Sequence, residues 1–188
     1  NRAIIMRREF SINLDRAPTL LDRMDRAFHN YAHLLMARAA CGYLVDGHGD
    51  LRPEHICLSD GVVIFDCLEF SDELRLVDPV DELAYLALEC ALLGDRGLGL
   101  QLADRVMRRM RDHPPAALAQ LHSARRAMLR ARLALSHLLD AAPRNPRKWE
   151  PLASHYLDLA QSALDCLEAG SDTGGGSAFV APLPGASP

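Results

Sequence analysis

Two histidines and three aspartates stand in the segment His48–Phe70, HGDLRPEHICLSDGVVIFDCLEF, and Asp60 belongs to a Ser-Asp-Gly turn. Asp50 follows His48-Gly49, His55 lies five positions beyond Asp50, and Asp66 ends the apolar run Val62–Phe65. Acids so placed suit the transfer of a phosphoryl group to a hydroxyl. One carboxylate must orient the attacking hydroxyl and take its proton. A second, fixed at a strand end, must hold a divalent cation against the phosphates of a nucleotide. A polar side chain five positions past the first acid turns back to share that metal, and a hairpin sets the separation of the two acids. Asp50, His55, the Ile56–Phe65 hairpin and Asp66 occur in that order. Taken singly, Asp50 also reads as a turn aspartate and Asp66 as a strand-end cap.

These residues need elements to hold them. From Thr19 the apolar spacing is helical: Leu20, Leu21, Met24, Phe28, Tyr31, Leu34 and Leu35 share one face. Thr19 is the expected N-cap and Gly42 the expected stop. Ile56-Cys57-Leu58 and Val62–Phe65 read as two short strands, with Ser59-Asp60-Gly61 as their turn. After Pro79 the chain reads as helical over Asp81–Leu93, Leu98–Arg111, Ala116–Ala141, and from Trp149 or Pro151 to Leu167. Residues 1–18 are short and mixed, and residues 171–188, rich in Gly, Ser and Pro, read as a linker or tail. The expected fold class is therefore α+β, mostly α. It comprises one helical domain over residues 1–170, with a catalytic segment at 43–70 that includes the small hairpin.

A chain of 188 residues, 49% hydrophobic, is long enough for one real core. Its net charge of -4 gives no general argument for nucleic acid. Five cysteines without a CxxC pair read as reduced, mostly buried thiols of a cytoplasmic protein. No apolar run is long enough to span a bilayer, and no signal peptide opens the chain. His29 and His33 lie one helical turn apart but lack the Glu of HExxH, which argues against zinc there.

HGDLRPEHI followed by IFDCLEF resembles the aminoglycoside phosphotransferase family, whose relatives include choline and homoserine kinases. That family writes HGD-L-x-P-x-N and, after a hairpin, I-D-[FW]-E. Asp78-Pro79 with Asp81-Glu82-Leu83-Ala84 resembles its D-P-x-x-D-L-A segment, and Arg125–Arg132, RRAMLRAR, resembles its later arginine-bearing helix. The resemblance runs from about Phe28 to Arg132. It implies a protein-kinase-like fold, in which a small N-terminal lobe covers a helical C-terminal lobe, and Mg²⁺ with ATP or GTP as cofactors. Carried onto this chain, it makes Asp50 the catalytic base, His48 a support of the loop and Asp66 the principal Mg²⁺ ligand. It puts His55 at the metal- and cofactor-sharing position that the family fills with Asn. An imidazole suits Mg²⁺ less well than an amide oxygen, so a purely structural His55 stands beside the ligand reading. Arg52 and Glu54 also differ from the commoner His and Gly.

The form HGDLRPEH with a following DELA resembles most the kinase-like domains fused to a P-loop ATPase. Ala178–Gly185 faintly resembles the strand and LPG that open such a loop. No glycine-rich loop precedes His48, and the single lysine, Lys148, lies downstream. The N-terminal lobe is thus expected to be absent from this chain, and the isolated chain to be a poor catalyst. The expected activity is phosphoryl transfer to a hydroxyl of a small molecule such as an aminoglycoside or amino sugar. Two other readings stand beside it. One is a pseudokinase or regulatory nucleotide-binding module, which His55 favours. The other is a helical interaction domain in which the motif is chance.

Charge is unevenly spread. From Asp66 to Asp95 nine of ten charged residues are acidic, Arg75 being the exception. As a wall of the acceptor site this would suit a cationic acceptor; otherwise it is a solvated helix face. From Arg96 to Arg132 nine arginines face Asp104 and Asp112. That stretch could dock another domain or an acidic partner, and without interleaved aromatics it does not suit nucleic acid.

Overall fold

A computed structural model describes residues 2–7, 10 and 15–170. The chain is α+β and mostly helical, as its apolar periodicity requires. A single turn, α1 (Arg2–Ile5), precedes the long helix α2 (Ala17–Ala40). Helix α2 starts two residues before Thr19, which is not its N-cap. Pro18 lies in the first turn, where helix N–H groups have no partner in any case and the fixed φ of proline is already helical. The chain then runs through β1 (Val45–Asp46), a 3₁₀ turn at Pro53–His55, β2 (Ile56–Cys57), β3 (Val63–Ile64), α3 (Asp72–Arg75) and β4 (Leu76–Val77). Four helices follow in all: α4 (Pro79–Leu92), α5 (Arg96–Met110), α6 (Ala116–Ser136) and α7 (Pro146–Ala169).

The expected hairpin is present: β2 and β3 pair antiparallel, with Ile56 opposite Ile64 and Cys57 opposite Val63. A second antiparallel pair, β1 with β4, sets Val45 opposite Val77. Helix starts fall a little earlier than the sequence suggests, because the capping acids lie upstream. Asp78 accepts the Val80 N–H at 2.9 Å and opens α4 at Pro79, so Asp81 is not a cap. Asp95 does the same for α5 through Leu98 N–H. Pro146 opens α7, and Pro151 is inside it rather than at its start. The linker reading of 171–188, with the Ala178–Gly185 resemblance, lies outside the described residues. Among those residues no helix is long and apolar enough to cross a membrane. Of the five thiols only Cys90 is buried; Cys41 and Cys57 are exposed.

The main core lies between α6, α7, α2 and α4. Ala124, Ala127, Ala131 and Ala134 recur at three- and four-residue spacing on α6 and are buried together with Ala153, Tyr156, Leu157, Ala160 and Leu164 of α7. Small side chains on both helices permit close approach. A smaller cluster joins Val80, Leu83 and Ala84 of α4 to Ala103 and Met107 of α5 and Leu118 of α6. Buried Arg38, near the end of α2, is bonded to Asp78 and makes a two-pronged contact with Asp112 at 2.7 and 3.1 Å. This fastens α2 to the start of α4 and to the α5–α6 connection.

Gly99 shows how tightly α4 and α5 meet: a Cβ there would lie 2.6 Å from the Ala87 Cα. Helix propensity alone would make Gly99→Ala stabilising by about 1 kcal/mol. Overpacking against backbone reverses that sign, and the expected outcome is a loss of about 1–3 kcal/mol in urea unfolding. A stabilised variant would contradict the close approach.

Candidate functional site

The loop between β1 and β2 is tied down atom by atom. Gly49 has φ +82°, and a Cβ there would come within 2.8 Å of Leu68 Cδ1 and 2.9 Å of the Leu74 carbonyl oxygen. Only glycine meets both demands. Glu82, in the first turn of α4, accepts the His48 N–H at 2.9 Å and the Gly49 N–H at 2.5 Å. From α6, Arg126 Nη1 donates to the Gly49 carbonyl at 3.1 Å. Leu68 N–H donates to the His48 carbonyl at 3.1 Å and so brings the end of the hairpin back onto the loop. His48 joins the two segments as well. Its Nε2 donates to the Phe65 carbonyl at 2.7 Å, which leaves Nδ1 to accept the Asp50 N–H at 3.3 Å.

That scaffold brings Asp50, His48, His55 and Asp66 into one cluster. The rings of His48 and His55 stack at 5.5 Å. Buried His55 directs Nδ1 at the Asp50 carbonyl at 2.9 Å, and this nitrogen lies 4.0 Å from Asp50 Oδ2. Its Nε2 lies 3.3 Å from Asp66 Oδ2. The two acids therefore stand at opposite edges of one imidazole. Their surroundings differ: Asp50 is 28% exposed and Asp66 is 73% exposed. Asp66 sits at φ +62°, a left-handed conformation that aspartate tolerates better than most residues.

Arg52 is the residue whose part the sequence did not reveal. Its Nε donates to Asp50 Oδ2 at 3.1 Å, its Nη2 lies 3.0 Å from His55 Nε2, and it pairs with Glu54. A guanidinium only donates, so His55 Nε2 faces it as an acceptor while Nδ1 carries the proton. Both ring nitrogens are then engaged. Mg²⁺ is a hard cation that takes oxygen ligands. With both nitrogens so engaged, His55 is in keeping with the structural reading that stood beside the ligand one. Asp66, an exposed carboxylate, offers the oxygen ligand that such a cation takes. Among the described residues no group of three His, Cys, Asp or Glu side chains could hold a metal unaided.

Below the loop lies an ion network. Asp81 is buried and is held by Arg125 and by both prongs of Arg126, at 3.0 and 2.9 Å. Burial by itself would push this carboxyl up; His122 and the two guanidiniums outweigh it and hold it well below the usual carboxylate range. Glu89 accepts the Tyr156 hydroxyl proton at 2.8 Å and lies 3.2 Å from Arg130 Nε, and there burial prevails and pushes the carboxyl up. The nine acids between Asp66 and Asp95 thus form neither a wall nor a solvated face throughout. Asp78, Asp81 and Glu89 are buried on internal cations, and Glu82 holds the loop. A groove of about 830 Å³ opens beside Asp50, and α6 lines one side of it with Arg125, Arg126, Arg130 and Arg132. Glu82 and Arg126 are two further site residues whose roles the sequence left undetermined. The only signal for them was the resemblance of the segments that carry them.

Because the folded Asp81 ionises below its unfolded value, the unfolded chain binds a proton that the native one refuses. Its stabilising effect is present above about pH 4 and is lost as pH falls further. Asp81→Asn should cost about 3–5 kcal/mol at pH 7, by leaving buried arginine unmatched. It should also flatten the acid limb of a urea-unfolding series. Parallel pH profiles for the two proteins would rule out the network as drawn.

No family model matches the chain, and no solved structure matches it. Over 101 residues it is 41% identical to proteins of Mycobacterium tuberculosis and Mycobacterium bovis that are described as uncharacterized. The match covers 53% of this chain and 20% of the relative, so the matched stretch is about a fifth of the length of those proteins.

Proposed function

We propose that this chain is the helical lobe of a phosphotransferase with a protein-kinase-like fold. The proposed reaction moves the γ-phosphoryl group of ATP or GTP to a hydroxyl of a small molecule. The observation that carries the reading is the placement of Asp50 and Asp66 at the two edges of His55, on a loop and hairpin cross-linked by His48, Leu68 and Glu82.

In that reaction Arg52 fixes one oxygen of Asp50 through Oδ2, which leaves the other to accept the hydroxyl proton. The hydrogen bond from Asp50 N–H to His48 and the glycine at 49 hold the carboxylate at a set height over the groove. Asp66 would hold Mg²⁺ by one carboxylate; when bound, the cation would neutralise charge on the transferring phosphate. His55 has a positioning part, spacing the two acids. The exposed apolar side chains at the hairpin, Leu58, Val62 and Ile64 among them, are what a covering lobe would bury.

A second reading has its own support. Arg52 presents a fixed cation to His55 Nε2, at the position where the resembled family shares its metal. A module that binds nucleotide without turnover would be built that way.

The test uses the full-length protein with Mg-ATP and a panel of sugars, amino sugars and amino alcohols. Acceptor-dependent ADP release should fall by roughly 10²–10⁴-fold in Asp50→Asn, the usual worth of a general base, with nucleotide binding kept. Asp66→Asn should remove the Mg²⁺ dependence of that binding. Nucleotide binding with no acceptor-dependent release would move the weight to the second reading, and no Mg²⁺-dependent binding at all would sink both.

A further inference from the structure

The groove beside Asp50 narrows the substrate class, on the proposed phosphotransferase reading. Its buried acids already have cations: Asp78 has Arg38, and Asp81 has Arg125 and Arg126. Two guanidiniums share the one carboxylate of Asp81, so one positive charge there has no anion of its own. Arg130 is matched by Glu89. Arg132, also on α6 and lining the groove, has no ion pair among the described residues, and its Nε is shut off from water without a hydrogen-bond partner. His122 lines the same groove and is 7% exposed; its Nδ1 faces Asp81 Oδ1 at 3.3 Å, and its Nε2 is shut off from water without a hydrogen-bond partner. Buried polar atoms without partners mark places where a ligand or water completes the site. Asp50 at the groove has Arg52, so among the described residues Glu73, exposed on α3, is the one carboxylate lining the groove without a cation. The rest of the lining is apolar, with Leu35 and Met36 from α2 facing Leu129 and Leu133 of α6, and Leu68 and Phe70 beside the loop.

We propose that the acceptor is an anion: a hydroxyl-bearing molecule with an apolar body and a carboxylate or phosphate that Arg132 binds, its hydroxyl directed at Asp50. Length follows from the helix. Arg126, which holds Gly49 next to Asp50, and Arg132 are six residues apart on α6, on the order of 9 Å along its axis. Hydroxyl and anion should be separated by about that distance. An amino sugar would instead bring an ammonium group to the arginines. Arginine suits the proposed role because its planar fork meets carboxylate or phosphate with two parallel hydrogen bonds.

The experiment compares two molecules that differ only in their charged end, 3-(4-hydroxyphenyl)propionate and tyramine, by calorimetric titration of the full-length protein in the presence of Mg-ADP. The carboxylate should bind at least tenfold tighter. Arg132→Met keeps an apolar stem and breaks no ion pair; it should leave the melting temperature unchanged and bring the two affinities within about twofold. Glu73→Gln and Asp50→Asn should keep the preference. Equal or tighter binding of tyramine, a preference that survives Arg132→Met, or no saturable binding of either overturns the proposal. Parallel assays of ADP release separate the two claims. Anion-selective binding without acceptor-dependent release supports the anion site and overturns the phosphotransferase reading. Release with amino alcohols alone supports phosphoryl transfer and overturns the anion site.

Discussion

A carboxylate removed from water must be matched by cations or take up a proton. Asp81 is matched by two arginines from one helix, and much of the site depends on that match. The Arg126 guanidinium that Asp81 holds also donates to the Gly49 carbonyl. The first turn of α4 acts as a hub. Asp78 reaches Arg38 of α2, Asp81 reaches α6, and Glu82 reaches the backbone of the loop at His48 and Gly49. Three acids within five positions thus face three directions, as a helical turn allows. Tyr85, one turn further along α4, lies under the Arg126 guanidinium at 4.6 Å and closes the network from the apolar side.

The hairpin and the long helices were legible because their signals are local. Val62–Phe65 is β-branched and aromatic, and a Ser-Asp-Gly turn precedes it. The β1–β4 pair was not legible, since two residues per strand leave no period to read. Thr19 looked like a cap, but α2 opens two residues earlier with Pro18 in its first turn, and Asp78 caps α4 without Asp81. The site was legible as a motif and not as an electrostatic arrangement. A sequence shows that Arg52 is near Asp50 but not that its guanidinium reaches past it to His55. It also counts Asp78, Asp81 and Glu89 as surface acids, while the fold buries all three against partners 40 or more residues away.

Arg52 and a magnesium ion are different kinds of cation. The guanidinium is planar, carries one charge and is tethered to the loop, whereas the ion carries two charges and takes six ligands in an octahedron. The contact to Asp50 therefore orients a base without competing for Asp66, since Arg52 bonds to Asp50, His55 and Glu54. The two acids have different surroundings although they lie around the same ring, as two carboxylates with different tasks need.

The left-handed backbone at Asp66 sets folding against chemistry at a single residue. Glycine would adopt φ +62° without the Cβ penalty, whereas aspartate holds it at some conformational cost. A library selected only for folding would therefore drift toward glycine here and lose the acid while the fold improved. Selection for thermostability and selection for turnover would diverge first at this position.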